Sequence, residues 1–288
     1  MSLVITGATG HFGRLVVEEL LARGVPAQDI VATGRAIEKT KDLADRGVRV
    51  RAADYADPAS MRAAFEGASG VLLVSGMAPD RAQQHRDAID AARDAGVGLI
   101  AYSSIVNATK TTMRVADDHK ATETALRASG VPFVALRNSW YIENYTAQLP
   151  VMLEHGAVLG AAGDGRVSAA TRADYAAAAA VVLTADAGTH ADRIYELGGD
   201  VPFTLAELAA EIGAQAGKDV RYVDLSEADL TKVLVDAGVP EPHAATLADA
   251  DRGLSRDELR TDSGDLSRLI GRPTTTLHDA IAAALRDL

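Results

Sequence analysis

The chain has 288 residues, 48% of them hydrophobic and 24% charged, with a formal net charge of −11; that is length for one large or two smaller domains with a buried core, and no basic patch stands out to favour nucleic acid as a partner. There is no cysteine, which excludes disulfides, thiolate metal sites and a cysteine nucleophile. No apolar run is long enough to span a bilayer, and the N-terminus enters a strand pattern without the basic stretch and apolar run of a signal peptide, so a cytoplasmic protein without membrane insertion is expected.

The first strand is expected at Leu3–Thr6, and it leads directly into ITGATGHFGR. Gly7, Gly10 and Gly13 follow the strand and precede a helix read over Leu15–Ala22. Their spacing is G-x-x-G-x-x-G, not the G-x-G-x-x-G dinucleotide fingerprint. In that position the first glycine allows a tight turn, the second lets backbone approach a pyrophosphate, and the third lets helix pack on strand. The amides and dipole of the helix N-terminus then favour phosphate charge. A tight turn without a ligand is the rival reading.

The second strand, Ile30–Gly34, ends in VATGR. An NAD site expects a carboxylate near this point to receive a ribose hydroxyl. Thr33, Gly34 and Arg35 stand there instead. Arg35 suits a 2′-phosphate through bidentate, charge-assisted bonds, so NADPH is the inferred cofactor; a solvated surface charge is the alternative. The third strand, Arg49–Ala52, precedes Asp54 and Tyr55, where adenine usually lies, although a helix-starting loop reads equally well. A short helix at Ser60–Phe65 starts after Asp57-Pro58. The fourth strand, Val71–Val74, precedes Ser75 and Gly76, small residues that let a cofactor approach or simply turn the chain. A helix over Ala82–Ala95, a strand at Leu99–Ser103, a helix over Asp117–Ala128 and a strand at Phe133–Arg137 continue the alternation. This order implies right-handed crossovers and an α/β fold with a doubly wound, Rossmann-like parallel sheet, which binds ligands at the carboxyl ends of its strands.

After about Pro150 the rhythm changes. VLGAAGDG (Val158–Gly165) contains an Asp-Gly turn. Thr204 to Glu207 form a capping box that opens a helix to about Ala216. Ser226 to Asp229 begin another helix, stopped by Gly238 and Pro240, and Thr276 to Asp279 begin the last. Ala176–Ala180 reads as a tightly packed helix, alanine being the best helix former. The expected division is a dinucleotide-binding domain over 1–150 and a smaller α+β lobe over 151–288, mainly for substrate, with some strands returning to the first domain.

Three absences narrow the chemistry. A short-chain dehydrogenase of the common type places Tyr-x-x-x-Lys after strand five, the tyrosine as proton donor. None of the seven tyrosines has lysine four residues later. His119 and Lys120 are candidates for proton handling, but the solvated face of a helix is the preferred reading, with Asp117 and Asp118 in its first turn and opposing nothing obvious. The seven histidines show no metal-ligand spacing, so no metal is expected, and no G-x-S-x-G elbow supports a hydrolase.

ITGATGHFG, the missing Tyr-x-x-x-Lys, LRNSWYIENY (Leu136–Tyr145), GAAGDG (Gly160–Gly165), SAATRADYAAAA and LIGRPTTTL (Leu269–Leu277) together resemble the NmrA-like atypical short-chain dehydrogenases. Within them the chain more closely resembles the bacterial NAD(P)H:quinone oxidoreductases of type 2 and the related triphenylmethane dye reductases. The resemblance implies that Gly7, Thr9, Gly10, His11, Phe12 and Gly13 form the phosphate loop, that Arg35 is the basic residue after strand two, and that Asn138 to Glu143 run past the nicotinamide, with Asn138 touching the cofactor. The same segment makes chemical sense. Trp140 and Tyr141 offer flat surfaces to a planar acceptor, and Asn144 offers an amide to a carbonyl. An interdomain core position is the even alternative for Trp140. Arg172 could contact cofactor or substrate, or cap nearby carbonyls. His155 reads as a helix-end residue.

The expected function is transfer of a hydride from NADP(H) to a quinone or similar planar acceptor, by a monomer or homodimer. A quinone takes charge onto its own oxygens, so a strong protein acid is less necessary. Catalysis is then chiefly proximity and orientation. Two alternatives stay open: a dinucleotide-binding sensor without turnover, and a reductase of triarylmethane dyes or other bulky conjugated acceptors.

Overall fold

Residues 2–186 and 188–288 are described by the structure, a computed structural model. In chain order the elements are β1 (Leu3–Ile5), α1 (His11–Ala22), β2 (Ile30–Gly34), α2 (Lys41–Asp45), β3 (Arg49–Ala52), α3 (Pro58–Phe65), β4 (Gly70–Leu73), α4 (Arg81–Asp94), β5 (Leu99–Ile105), α5 (Val115–Ser129) and β6 (Phe133–Asn138). They continue with α6 (Glu143–Thr146), α7 (Leu149–His155), β7 (Ala157–Gly160), α8 (Arg172–Thr184), β8 (Arg193–Leu197), α9 (Leu205–Ala216), β9 (Arg221–Asp224), α10 (Glu227–Asp236), α11 (Glu241–Leu254), α12 (Asp265–Ile270) and α13 (Leu277–Arg286).

The chain forms two compact units: residues 1–105, 118–137 and 172–195 in the first, and 106–117, 138–171 and 196–288 in the second. The chain therefore passes between them several times.

A seven-stranded sheet runs in the order β3-β2-β1-β4-β5-β6-β8. Its pairs from β3 to β5 are parallel, with Val4 opposite both Val31 and Val71. β1, β2, β4 and β6 are buried along their whole length, as expected of parallel strands covered on both faces. Strand order reverses at β1 and β4, so the loops leaving these two strands flank the topological switch point, where doubly wound sheets bind ligands. In the first unit α8 packs on α1, β4 and β5. Its alanine run, Ala176 to Ala180, is buried throughout; small side chains let the helix approach its neighbours closely. Each Val, Leu or Ile buried in this core contributes about 1.5–3 kcal/mol.

The second unit carries the parallel pair β7–β9, against which α9 packs, while α13 packs on α9 and α10 on α11. The capping box at Thr204 forms both of its bonds with Glu207. Ser226 and Thr276 cap α10 and α13 through the amides of Asp229 and Asp279.

Two expectations about α5 are corrected. The helix starts at Val115, not Asp117, so Asp118 lies on its second turn and pairs with Arg81 at 2.7 Å. His119 is buried, not solvated: the buried hydroxyl of Tyr102 gives its Nδ1 a hydrogen-bond partner at 2.8 Å.

Candidate functional site: the carboxyl edge of the first unit

The loop from β1 to α1 assigns a different job to each glycine. Gly7 has φ +61, in the left-handed region, which glycine adopts without steric cost. Gly13 has no room for a side chain: a Cβ would stand 2.6 Å from the Gly7 carbonyl oxygen and 2.8 Å from that of Thr6. Gly10 differs from both. Its φ is −103 and ψ 173, ordinary extended backbone, and a Cβ there would meet nothing nearer than the Gly7 carbonyl oxygen at 3.4 Å. Packing does not require glycine at position 10, although glycine is also among the residues favoured at a helix N-cap.

Gly10 is also the N-cap of α1. No side chain caps this helix, and its first turn holds no acidic residue. The N-terminus of this helix and the positive end of its dipole therefore carry no built-in anion. A pyrophosphate fits these features: a cradle that a Cβ at Gly10 would fill, at an uncapped helix N-terminus. His11 is exposed and Phe12 is buried. Thr9 lies over the end of β2, where a Cβ on Gly34 would come within 2.6 Å of its side chain.

Arg35 leaves β2 next to this loop. It is exposed, and among the described residues it has no hydrogen-bond or ion-pair partner. Arg14, the neighbouring cation on α1, is committed to Asp42 and to the Lys39 carbonyl. Asp54 closes the turn into α3: its Oδ1 accepts from the Ala56 amide and its carbonyl from Ser60. Tyr55 points its hydroxyl into the protein, sharing a hydrogen bond with Thr6 Oγ1 at 2.6 Å and donating to the Val74 carbonyl at 2.7 Å. Ser75 and Gly76 follow β4 on the same edge. A Cβ on Gly76 would meet nothing closer than 3.8 Å, so this glycine too is not demanded by packing. Gly7 to Gly13, Arg35, Asp54, Tyr55, Ser75 and Gly76 thus all lie at the carboxyl ends of β1 to β4, as the sequence predicts. Arg172 opens α8.

In the second unit, Asn138 to Asn144 form a pinned segment. Ser139 donates its amide to the Leu197 carbonyl and its hydroxyl to that of Leu259. Trp140 and Ile142 exchange backbone bonds with Ala170 on either side of the Tyr141–Ala170 bridge. Trp140, Tyr141 and Asn144 are half-buried. Asn138 is buried, with Nδ2 at 3.5 Å from the Tyr141 hydroxyl, and among the described residues its Oδ1 has no hydrogen-bond partner.

None of the seven tyrosines is followed by lysine four residues later. Tyr55, Tyr102, Tyr145 and Tyr222 are all pushed up in pKa, in each case chiefly by burial, the opposite of what a proton donor needs. Among the described residues no cluster of three or more His, Asp or Glu side chains could hold a metal ion, and no helix is long and apolar enough to cross a membrane.

Sequence reasoning missed the residues beneath this edge: Thr6, Arg81, His85 and Ser103, whose side chains hold the Val74–Gly76 backbone. One signal was present for His85. It shares the helical stripe of Ala88, Ile89 and Ala92, so it falls on the buried face of α4.

The chain is 48% identical over 281 residues to quinone oxidoreductase 2 of Escherichia coli (strain K12), covering 97% of each chain. The crystal structure of the NADPH-dependent quinone oxidoreductase of Escherichia coli complexed with NADPH superposes with a TM-score of 0.94 at 48% identity, over 98% of this chain and 99% of that one. Triphenylmethane reductase of Citrobacter sp., complexed with NADP(H), gives a TM-score of 0.92 at 39% identity, over 98% and 100%. The profile of the NmrA-like family matches residues 1–269, and the chain belongs to that family.

Proposed function

We propose that the protein is an NADPH-dependent reductase of quinones, with bound NADPH supplying the hydride. The observation that carries this reading is Gly10, a glycine in ordinary backbone conformation at an uncapped helix N-terminus, where a Cβ would fill space the protein itself leaves open. The similarity to quinone oxidoreductase 2 over nearly the whole of both chains supports the acceptor class.

In this proposal the amides at the start of α1 bind pyrophosphate, and Arg35 reads the 2′-phosphate with a guanidinium that no other group occupies. Gly76 and Ser75 leave room for the cofactor along β4. Asn138 contributes to the cofactor site at the end of β6. Trp140 and Tyr141 hold a planar ring, Asn144 and Arg172 its polar substituents. A quinone gathers negative charge on its own oxygens as it is reduced, so no acidic tyrosine is required and water can deliver the proton. The chain's contribution is binding and orientation. A cytoplasmic location, as a monomer or homodimer, completes the proposal.

The 39% identity to triphenylmethane reductase favours one second reading, a bulky conjugated dye as acceptor. The deciding experiment is steady-state NADPH oxidation by purified protein with 1,4-benzoquinone, run beside NADH and a cationic triarylmethane dye. Quinone-dependent turnover with NADPH preferred is expected. NADPH binding without turnover on any acceptor would overturn the enzyme reading in favour of a dinucleotide sensor.

A further inference from the structure

Past the end of β4 the backbone of residues 74–76 is held by side chains. The Val74 amide donates to Thr6 Oγ1 at 2.8 Å, the Ser75 amide to Ser103 Oγ at 2.8 Å, and the Gly76 amide to His85 Nε2 at 3.1 Å. The Val74 carbonyl accepts from Tyr55 and the Gly76 carbonyl from Arg81 Nη1 at 3.2 Å. Five side chains, from the β1 exit, the β3 exit, α4 and β5, hold three residues. Any loop needs partners for its half-buried backbone groups, but a mere connection from β4 to α4 does not need five side chains drawn from four places in the fold. A turn that must present its backbone edge to a ligand gains from it, because the ordering is complete before binding.

His85 differs from the other four in that its role depends on where a proton sits. Nε2 accepts the Gly76 amide, so the proton is on Nδ1, which donates to Thr122 Oγ1 at 2.9 Å; Thr122 in turn donates to the Asp118 carbonyl at 2.8 Å. The ring is fully buried, edge-on to Tyr55 and Tyr102. With the other tautomer, two N–H groups would face each other at Gly76.

We propose that His85, held as the Nδ1–H tautomer by Thr122, is a positioning residue for the dinucleotide site: it fixes the Gly76 amide and so the Ser75–Gly76 edge along which NADPH lies. The inference rests on the NADPH reading given above. It assigns His85 no contact with the cofactor and no proton transfer.

The test compares wild type, His85→Leu and His85→Gln for NADPH dissociation constant and for quinone reduction at saturating NADPH. Leucine fills space but cannot accept the Gly76 amide; the glutamine Oε1 can. His85→Leu is expected to raise Kd and KM for NADPH about tenfold, the loss of one buried hydrogen bond to a binding loop, with the effect on KM and not on kcat. His85→Gln is expected to recover most of it. A folded His85→Leu protein with wild-type affinity, or equal losses in both variants, would overturn the proposal. Should His85→Leu not fold, nitrogen-15 spectra of the wild-type histidines decide: a proton on His85 Nε2 at pH 7 overturns it, a proton on Nδ1 supports it. A wild-type protein that binds no NADPH would instead remove the reading beneath it.

Discussion

Arg137 donates to both oxygens of Glu123, from Nε at 2.8 Å and from Nη2 at 2.7 Å, with the two side chains 5% and 1% exposed. Ser104 and Arg127 donate to the same carboxylate at 2.7 and 2.9 Å. Replacing Glu123 by glutamine leaves a buried guanidinium facing a neutral amide, and breaking a buried pair in this way costs about 3–5 kcal/mol. Urea unfolding at pH 7 measures it. Burial alone would raise the Glu123 carboxyl, but the hydrogen bonds from Arg137 and Ser104 and the charge of Arg137 outweigh it and hold the group below its ordinary value of 4.5. A lowered carboxyl stabilises the fold above its unfolded pKa, and that contribution is lost as pH falls through the folded one. The gap between wild type and Glu123→Gln should therefore narrow as pH drops below 4.5. A gap of constant size would show that charge is not its origin.

The glycines at 10 and 13 should fail in different ways. Gly13→Ala places a Cβ within 2.6–2.8 Å of backbone atoms of Gly7 and Thr6. Backbone cannot rotate aside, so the variant should lose about 1–3 kcal/mol of stability. Gly10→Ala meets only one atom, at 3.4 Å, and should lose less stability than Gly13→Ala, up to about 1 kcal/mol for alanine at an N-cap, while binding NADPH about 10–100-fold more weakly, the cost of pressing a methyl group into a close contact. Calorimetry on the two variants, with and without NADPH, separates the effects. Normal NADPH affinity in Gly10→Ala would mean that no ligand approaches this turn closely.

Arg35→Ala should weaken NADPH binding by about 10–100-fold, in line with loss of charge-assisted hydrogen bonds, and should change NADH binding little. Titration with both nucleotides decides. Equal losses would show that Arg35 does not read the 2′-phosphate, and Arg14 would become the group to test, since breaking its pair with Asp42 would be the price of recruiting it.

The parts of this fold that were legible in the sequence are those governed by local chemistry. β2 and β3 lie where the apolar runs put them, at Ile30–Gly34 and Arg49–Ala52. The Thr204 capping box is a contact between residues three apart, and it forms. α1 starts at His11, four residues before the apolar run at Leu15 suggests, because Gly10 serves as N-cap and Gly13 sits inside the first turn. What spacing could not convey is partnership through space. His85 finds Thr122, Tyr102 finds His119, and Glu123 finds Arg137 across 37, 17 and 14 residues. His119 read as a surface residue because nothing nearby in sequence satisfies an imidazole; only the packing of α5 against β5 brings Tyr102 to it.

Asp251 offers a test in the second unit with the opposite sign to Glu123. Burial, reinforced by the charge of Asp224, pushes its carboxyl up to about 6, although the Ala161 amide, donating at 2.9 Å, works the other way. A raised carboxyl keeps its proton in the folded state while the unfolded chain gives it up. Stability is therefore greatest below the ordinary value of 3.8, declines as pH rises to about 6, and stays lower above that. Asp251→Asn removes the charge and keeps an oxygen for the Ala161 amide. It should be more stable than wild type at pH 8, by about 1–3 kcal/mol, with the advantage shrinking toward pH 4. Urea midpoints at the two pH values measure this. An asparagine variant that is weaker than wild type at pH 8 would mean that the ionised carboxylate makes a favourable contact stronger than its burial cost, and Tyr222 and Tyr145, the hydroxyls whose acidity its charge suppresses, would be the first candidates for that contact.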